Sequence, residues 1–280
     1  MKSSFMTSPN AGGFGVGLFG NMKVENGLGL FKGDLEKAFH VANELNYDGL
    51  EIALADPDEI DLSKLSKLVE KYNINIASLA TGAVAVKDGL IFTSPDRSIR
   101  EAAITRIKKF IDLASIFKSV VVISLVRGGI LTNAGQSKKW IRECLSECAE
   151  YSKKKYVNIA FEPINRFQED FFHSIVDCVN FLKEVNLPNL GILVDSFHMN
   201  IEDGDMWGNI RQAGHSIVHV HYADNNRLAP GMGHFDFSKM TKVLKEIDYK
   251  GYISAEILPV PDSYTAAKQT IDSIRSYLSQ

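Results

Sequence analysis

Four short apolar runs in the second half of the chain each stop at a side chain that can bind a metal ion or move a proton. Ile159-Ala160-Phe161 is followed by Glu162, Ile192-Leu193-Val194 by Asp195, residues 217–220 by His221, and Ile253-Ser254-Ala255 by Glu256. Such runs read as strands buried on both faces, as in a parallel sheet. The carboxyl ends of those strands are where α/β proteins keep their chemistry. Neighbouring strands lie about 4.8 Å apart, so inward side chains from four of them can converge on one divalent ion at about 2.0–2.2 Å. Glu162, Asp195, His221 and Glu256 are therefore the expected metal ligands. Three carboxylates and one imidazole suit Mn²⁺, Mg²⁺ or Co²⁺ over a thiophilic metal, with Zn²⁺ also compatible, and Mn²⁺ is the expected ion. Each acid taken singly could equally cap the next helix or pair with a lysine; the coincidence of all four argues for a site.

His198, three residues beyond Asp195, is placed to reach over a substrate oxygen as a donor. Arg227, in the run HYADNNR, can clamp an oxygen or carboxylate of a substrate, the alternative being a solvated loop arginine. His219 faces the same way as His221 but one layer deeper, where a packed, hydrogen-bonded histidine is expected. His40, His173 and His215 read as surface or helix residues. Glu51, at a strand end, and Arg127, in the Gly-rich LVRGG run, are weaker candidates for the pocket wall.

The elements that must position these groups alternate along the whole chain. The first ten residues are polar and residues 1–12 read as a loose tail, followed by a Gly-rich first strand over 14–19. Gly15, Gly17 and Gly20 spell G-x-G-x-x-G there, but a dinucleotide site needs a strand before the fingerprint and a helix opening from it. A polar tail precedes it and a Gly/Asn-rich loop over 21–33 follows, so the nucleotide reading is rejected. Asp34 and Asp61 can cap helices, with strands at 50–53 and 74–80 between and after them. Ser94-Pro95 opens a long helix ahead of the buried strand at 120–125, and a helix over 136–155 precedes Glu162. Helices near 174–186, 205–213, 238–247 and 265–278 follow the four chemistry-bearing strands in turn. Eight strands, each followed by a helix, with no low-complexity linker, predict a single-domain (β/α)8 barrel spanning residues 1–280.

With 45% hydrophobic residues and a net charge of −3, the chain can bury a large core and presents no basic face for nucleic acid. Cys144, Cys148 and Cys178 match no zinc-ribbon or disulfide spacing and read as small buried hydrophobes in a reducing compartment. No run approaches the roughly 18 apolar residues of a membrane span, and the start lacks the apolar core of a signal peptide. A soluble cytoplasmic protein with no membrane partner is expected.

The chain resembles the ketose 3-epimerase group of the xylose-isomerase-like barrels. The resemblance rests on Glu162-Pro163-Ile164-Asn165-Arg166-Phe167, on Val194-Asp195-Ser196-Phe197-His198-Met199-Asn200-Ile201-Glu202, on His219-Val220-His221 with Asn226-Arg227-Leu228-Ala229-Pro230-Gly231, and on Ala255-Glu256. The first half is most similar to 5-keto-L-gluconate epimerases of inositol breakdown, through Phe31-Lys32-Gly33-Asp34-Leu35, Ala80-Thr81-Gly82, Asp88-Gly89-Leu90 and Leu125-Val126-Arg127-Gly128, with Gly233-His234-Phe235-Asp236-Phe237 later. The resemblance implies metal binding at the four residues already named, substrate contacts at His198 and Arg227, and a homodimer or homotetramer. The group commonly has a glutamate that contacts the substrate's terminal hydroxyl where this chain has Gln168, which points to a different or more anionic end group.

These readings lead to a metal-dependent epimerase acting beside the ketone of a ketose or keto-sugar acid through a cis-enediolate. Glu162 and Glu256, on different sides of the ion, are the expected catalytic base and acid. The alternatives are an aldose–ketose or hydroxypyruvate-type isomerase, a metal endonuclease of the abasic-site type, and a non-catalytic sugar-binding protein.

Overall fold

In a computed structural model, which describes residues 1–10 and 28–280, eight parallel strands close into a barrel in chain order. They are β1 (Lys2–Thr7), β2 (Gly49–Ala53), β3 (Asn75–Ala80), β4 (Val120–Ile123), β5 (Ile159–Phe161), β6 (Leu190–Asp195), β7 (Ile217–Tyr222) and β8 (Tyr252–Ala255). The ring closes where β1 pairs with β8, from Lys2 opposite Tyr252 to Phe5 opposite Ala255.

The outer layer comprises α1 (Leu35–Glu44), α2 (Leu62–Tyr72), α3 (Gly82–Asp88), α4 (Arg97–Phe117), α5 (Ala134–Lys154), α6 (Ile175–Val185), α7 (Ser196–Glu202), α8 (Met206–Ala213), α9 (Phe237–Glu246) and α10 (Ser263–Ser279). Most start at a side chain that accepts from the first turn: Asp34 from the Lys37 amide, Asp61 from Lys64, Asp236 from Lys239 and Asp262 from Thr265. Such caps satisfy backbone donors that the helix itself cannot. The main core lies between the helices' inner faces and the outward side chains of the barrel. Cys144, Cys148 and Cys178 are buried there as free thiols, as expected. No described helix is long and apolar enough to cross a membrane.

The fold differs from expectation at the start of the chain. Residues 2–7 are not a loose tail but β1, and Ser3, Ser4 and Thr7 are buried within it. The segment reads as polar because small hydroxyl side chains fill space here that Val or Ile fills in other strands. The strand expected over 14–19, and the G-x-G-x-x-G glycines inside it, lie outside the described residues. Two short helices went unforeseen, α3 after β3 and α7 directly after β6.

The strand ends divide the mouth of the barrel into two arcs. Met6, Ala53, Ala80 and Val122, from β1 to β4, give it an apolar side. Glu162, Asp195, His221 and Glu256, at the ends of β5 to β8, give it a charged one.

Candidate active site

The four residues expected to act together are brought together. Ligand-capable atoms of Glu162, Asp195, His221 and Glu256 all lie within 4.8 Å of one another. His221 Nδ1 is 3.8 Å from Glu162 Oε1, 3.6 Å from Asp195 Oδ2 and 3.5 Å from Glu256 Oε2. That nitrogen is buried and has no hydrogen-bond partner. Its other ring nitrogen, Nε2, is 3.1 and 3.0 Å from the two oxygens of Glu51. A ring nitrogen aimed at three carboxylate oxygens, with no partner of its own, matches the donor set of a divalent cation bound by hard oxygens and one imidazole.

The surrounding groups carry much of the charge balance. Arg227 is 2% exposed, so it is not a solvated loop arginine. Its Nη1 donates to Asp195 Oδ2 at 2.7 Å and its Nη2 lies 2.9 Å from Glu256 Oε2. The loop bearing it is fixed by the buried Asp224, whose carboxylate accepts from the amides of Asn225, Gly231, Gly233 and Phe235 at 2.8–3.1 Å. Burial opposes ionisation of Asp195, but the Arg227 guanidinium together with His198 and His221 holds its carboxyl well below the usual range. Glu162 goes the other way: burial, reinforced by the Glu256 and Asp195 carboxylates, pushes it up to about 8. Burial also opposes the charged form of His221, yet Glu51, Asp195 and Glu256 hold its pKa well above the ordinary value.

His198 is not on a loop but on α7, which begins at Asp195 when that side chain accepts from the Phe197 amide at 2.7 Å. Asn165 Oδ1 accepts from the Phe167 amide at 3.0 Å, so its amide nitrogen faces His198 Nδ1, 2.7 Å away. The Asn165 backbone N–H reaches the same atom at 3.3 Å. The two Asn165 donors favour the lone pair on His198 Nδ1 and the ring proton on Nε2, which lines the cavity; Arg227 Nη2, itself only a donor, lies 3.2 Å from Nε2 and must turn aside for that proton to be given to a ligand. Burial, opposed by Asp195 and aided by Arg227 and His221, pushes the pKa of this imidazole down to about 3. His198 is a neutral donor at physiological pH.

These groups open into a cavity of about 240 Å³, lined on the far side by Met6, Leu28, Ala80, Val86 and Leu125, with Phe167 and Gln168 also in its wall. The space suits a small polar molecule with one end on the charged arc and the other against apolar side chains. His219 is packed and hydrogen-bonded, as expected, 2.8 Å from Glu51 and 3.1 Å from Ser78 Oγ. Glu51 does not end its strand but sits within β2, fully buried beneath the cavity. Burial works against its ionisation, yet His221 and His219 hold the carboxyl well below its ordinary range. Arg127 is fully buried and stays out of the pocket wall; it donates to the Glu162 carbonyl oxygen and stacks on Phe161. His40 and His215 are exposed, and His173 is half-buried against the Ile164 carbonyl. Reading the residues alone missed the roles of Glu51 and Asn165, because each works through a contact that crosses the fold.

Comparison with known proteins agrees with this architecture. The chain is 30% identical over 224 residues to L-ribulose 3-epimerase of Methylomonas sp. (strain DH-1), covering 79% of this chain and 77% of that protein. It is also 30% identical over 241 residues to a probable ketose 3-epimerase of Synechocystis sp., covering 84% and 83%. Its fold matches the crystal structure of a D-allulose 3-epimerase from Methylomonas sp. in complex with D-allulose, with a TM-score of 0.80, 24% identity, and coverage of 99% of this chain and 97% of the other. Residues 39–277 match the xylose isomerase-like TIM-barrel family. With that match, the closed barrel and the ketose 3-epimerases among its relatives, the chain belongs to the xylose isomerase-like TIM-barrel family.

Proposed function

We propose that this protein is a metal-dependent carbohydrate epimerase that inverts the carbon next to the ketone of a ketose or keto-sugar acid. The observation that carries the reading is the buried, unpartnered His221 Nδ1 facing oxygens of Glu162, Asp195 and Glu256 at 3.5–3.8 Å. Those four side chains would hold the ion, Mn²⁺ being the expected one. A divalent ion there supplies stabilisation of negative charge developing on the substrate's carbonyl and neighbouring hydroxyl oxygens. The 3-epimerase names of the relatives favour inversion of the carbon over transfer of the carbonyl.

The chain's own groups do the rest. Glu162 and Glu256 stand at the ends of β5 and β8 and flank the cavity. One removes the proton from the carbon beside the ketone, giving a cis-enediolate, and the other returns a proton to the opposite face; the reverse reaction exchanges their roles. The neutral His198 donates its Nε2 proton to a substrate oxygen. Arg227 orients a second oxygen and offsets the charge of the carboxylates around it. Gln168 offers one acceptor and one donor to the sugar's far end. The apolar wall opposite keeps water away from the carbanionic carbon.

The test is turnover with Mn²⁺ on a panel of free ketohexoses, 5-ketogluconate and ketose phosphates, with products read by NMR. Reaction in D₂O should place solvent deuterium at the inverted carbon. Product without deuterium, or an aldose as the main product, would overturn the reading. Glu162→Gln and Glu256→Gln should each lower kcat by at least about 100-fold, and near-normal turnover in either would remove the two-glutamate assignment.

A further inference from the structure

One buried carboxylate takes no part in the reaction above. Glu51 belongs to β2, 170 positions from His221 in sequence, and is completely buried. Its Oε2 accepts from Ser78 Oγ at 2.7 Å and lies 2.8 Å from His219 Nε2, and its two oxygens lie 3.1 and 3.0 Å from His221 Nε2. An ionised carboxylate can only accept, so the two imidazoles and the hydroxyl must all donate to it. The proton of a neutral His221 ring is therefore held on Nε2, and the lone pair is left on Nδ1.

We infer that Glu51 is a positioning residue for metal binding: through its hydrogen bond to His221 Nε2 it fixes the tautomer and ring orientation that aim Nδ1 at the cation position between Glu162, Asp195 and Glu256. The inference rests on the metal reading of those four residues. Ser78 and His219 complete the arrangement by holding the carboxylate itself, and that support lets an anion stay in the barrel interior. A hydrogen-bonded partner behind a ligating histidine raises the basicity of the ligand atom and removes the entropy of a freely turning ring.

Glu51→Gln separates these effects with almost no change of shape. The amide has one acceptor oxygen for three donors, and its NH₂ group must face a ring nitrogen that accepts. Where that ring is His221, its proton moves to Nδ1 and the lone pair leaves the cation position. Mn²⁺ and Zn²⁺ affinity should fall about 10- to 100-fold. Ser78→Ala disturbs the same buried cluster but leaves the Glu51–His221 contact, and should change affinity by no more than about threefold. An equal loss in Ser78→Ala, or affinity within twofold of the wild type in Glu51→Gln, would overturn the inference.

Should Glu51→Gln fail to fold, the wild-type protein labelled with ¹⁵N-histidine and loaded with Zn²⁺ still decides it. The expected spectrum has His221 protonated at Nε2, with a slowly exchanging imidazole proton, and metal-shifted at Nδ1. Protonation at Nδ1 with Zn²⁺ bound elsewhere on the ring overturns the role of Glu51 alone. A wild-type protein that binds neither ion overturns the metal reading and this inference with it.

Discussion

Asp195 combines two roles that the sequence offers as alternatives. One oxygen accepts from the Phe197 amide and starts α7, while the other faces Arg227 and the cluster around His221. Substitution can pull the roles apart, because asparagine caps a helix about as well as aspartate while alanine does not. Asp195→Asn and Asp195→Ala should both lose at least tenfold in Mn²⁺ affinity, and the alanine variant should be less stable than the asparagine one by about 1 kcal/mol. Titration calorimetry and urea unfolding check the two halves independently. The raised pKa of Glu162, about 8, sets the direction of a second dependence. Below that pH the Glu162 carboxyl of the metal-free protein is protonated, and a cation must displace that proton as well as the one that the raised pKa of His221 keeps on its ring. Apparent affinity should rise toward pH 8 and fall about tenfold per unit below it for each proton displaced; a flat profile between pH 6 and 8 would contradict this. The four cluster residues were legible because each follows an apolar run in sequence. Glu51 and Asn165 were not, since the atoms they hold belong to strands or helices 33 to 170 positions away.

At the scale of elements, the strand carrying Asp195 fits against β7 with almost no clearance. A Cβ on Gly191 would stand 2.5 Å from both the Ser216 carbonyl oxygen and Val218 Cγ1. The Val218 methyl can turn aside, but the Ser216 carbonyl is backbone and cannot move without shifting the start of β7, which bears both barrel histidines. Gly191→Ala should cost roughly 1–3 kcal/mol as an overpacking change, read by urea unfolding, and should also weaken metal binding by displacing Asp195 relative to His221. Most helices and strands could be read from periodicity and caps, as with Asp34 and Asp61 ahead of α1 and α2. The exceptions have physical reasons. α7 is seven residues long, too short to show a period, and its cap coincides with a strand end. Three of the six residues of β1 are serine or threonine and it opens on a lysine, so its burial is invisible without the neighbouring β2 and β8.

For the molecule as a whole, stability should carry a pH signature from a site away from the cavity. Asp203 is largely buried, accepts from the Ile175 amide at 3.2 Å and from Asn209 at 2.7 Å, and has its second oxygen unpartnered. Burial pushes its pKa up to about 6, above the unfolded value of about 3.9. With the folded value raised, the ionised form costs stability above pH 6, and that cost disappears as pH falls through the window toward 4. Asp203→Asn should be the more stable protein at pH 7, by up to about 3 kcal/mol, and the gap to wild type should close by pH 4. A constant gap in chemical unfolding across that range would refute the assignment. The two-sided mouth has its own consequence for how such a catalyst diversifies. On the proposed function, the reacting groups sit on one semicircle of staves and the greasy wall on the other, so mutations at Met6, Ala53, Ala80, Val86 or Leu125 should retune which sugar is welcomed while leaving the bond-breaking groups in place.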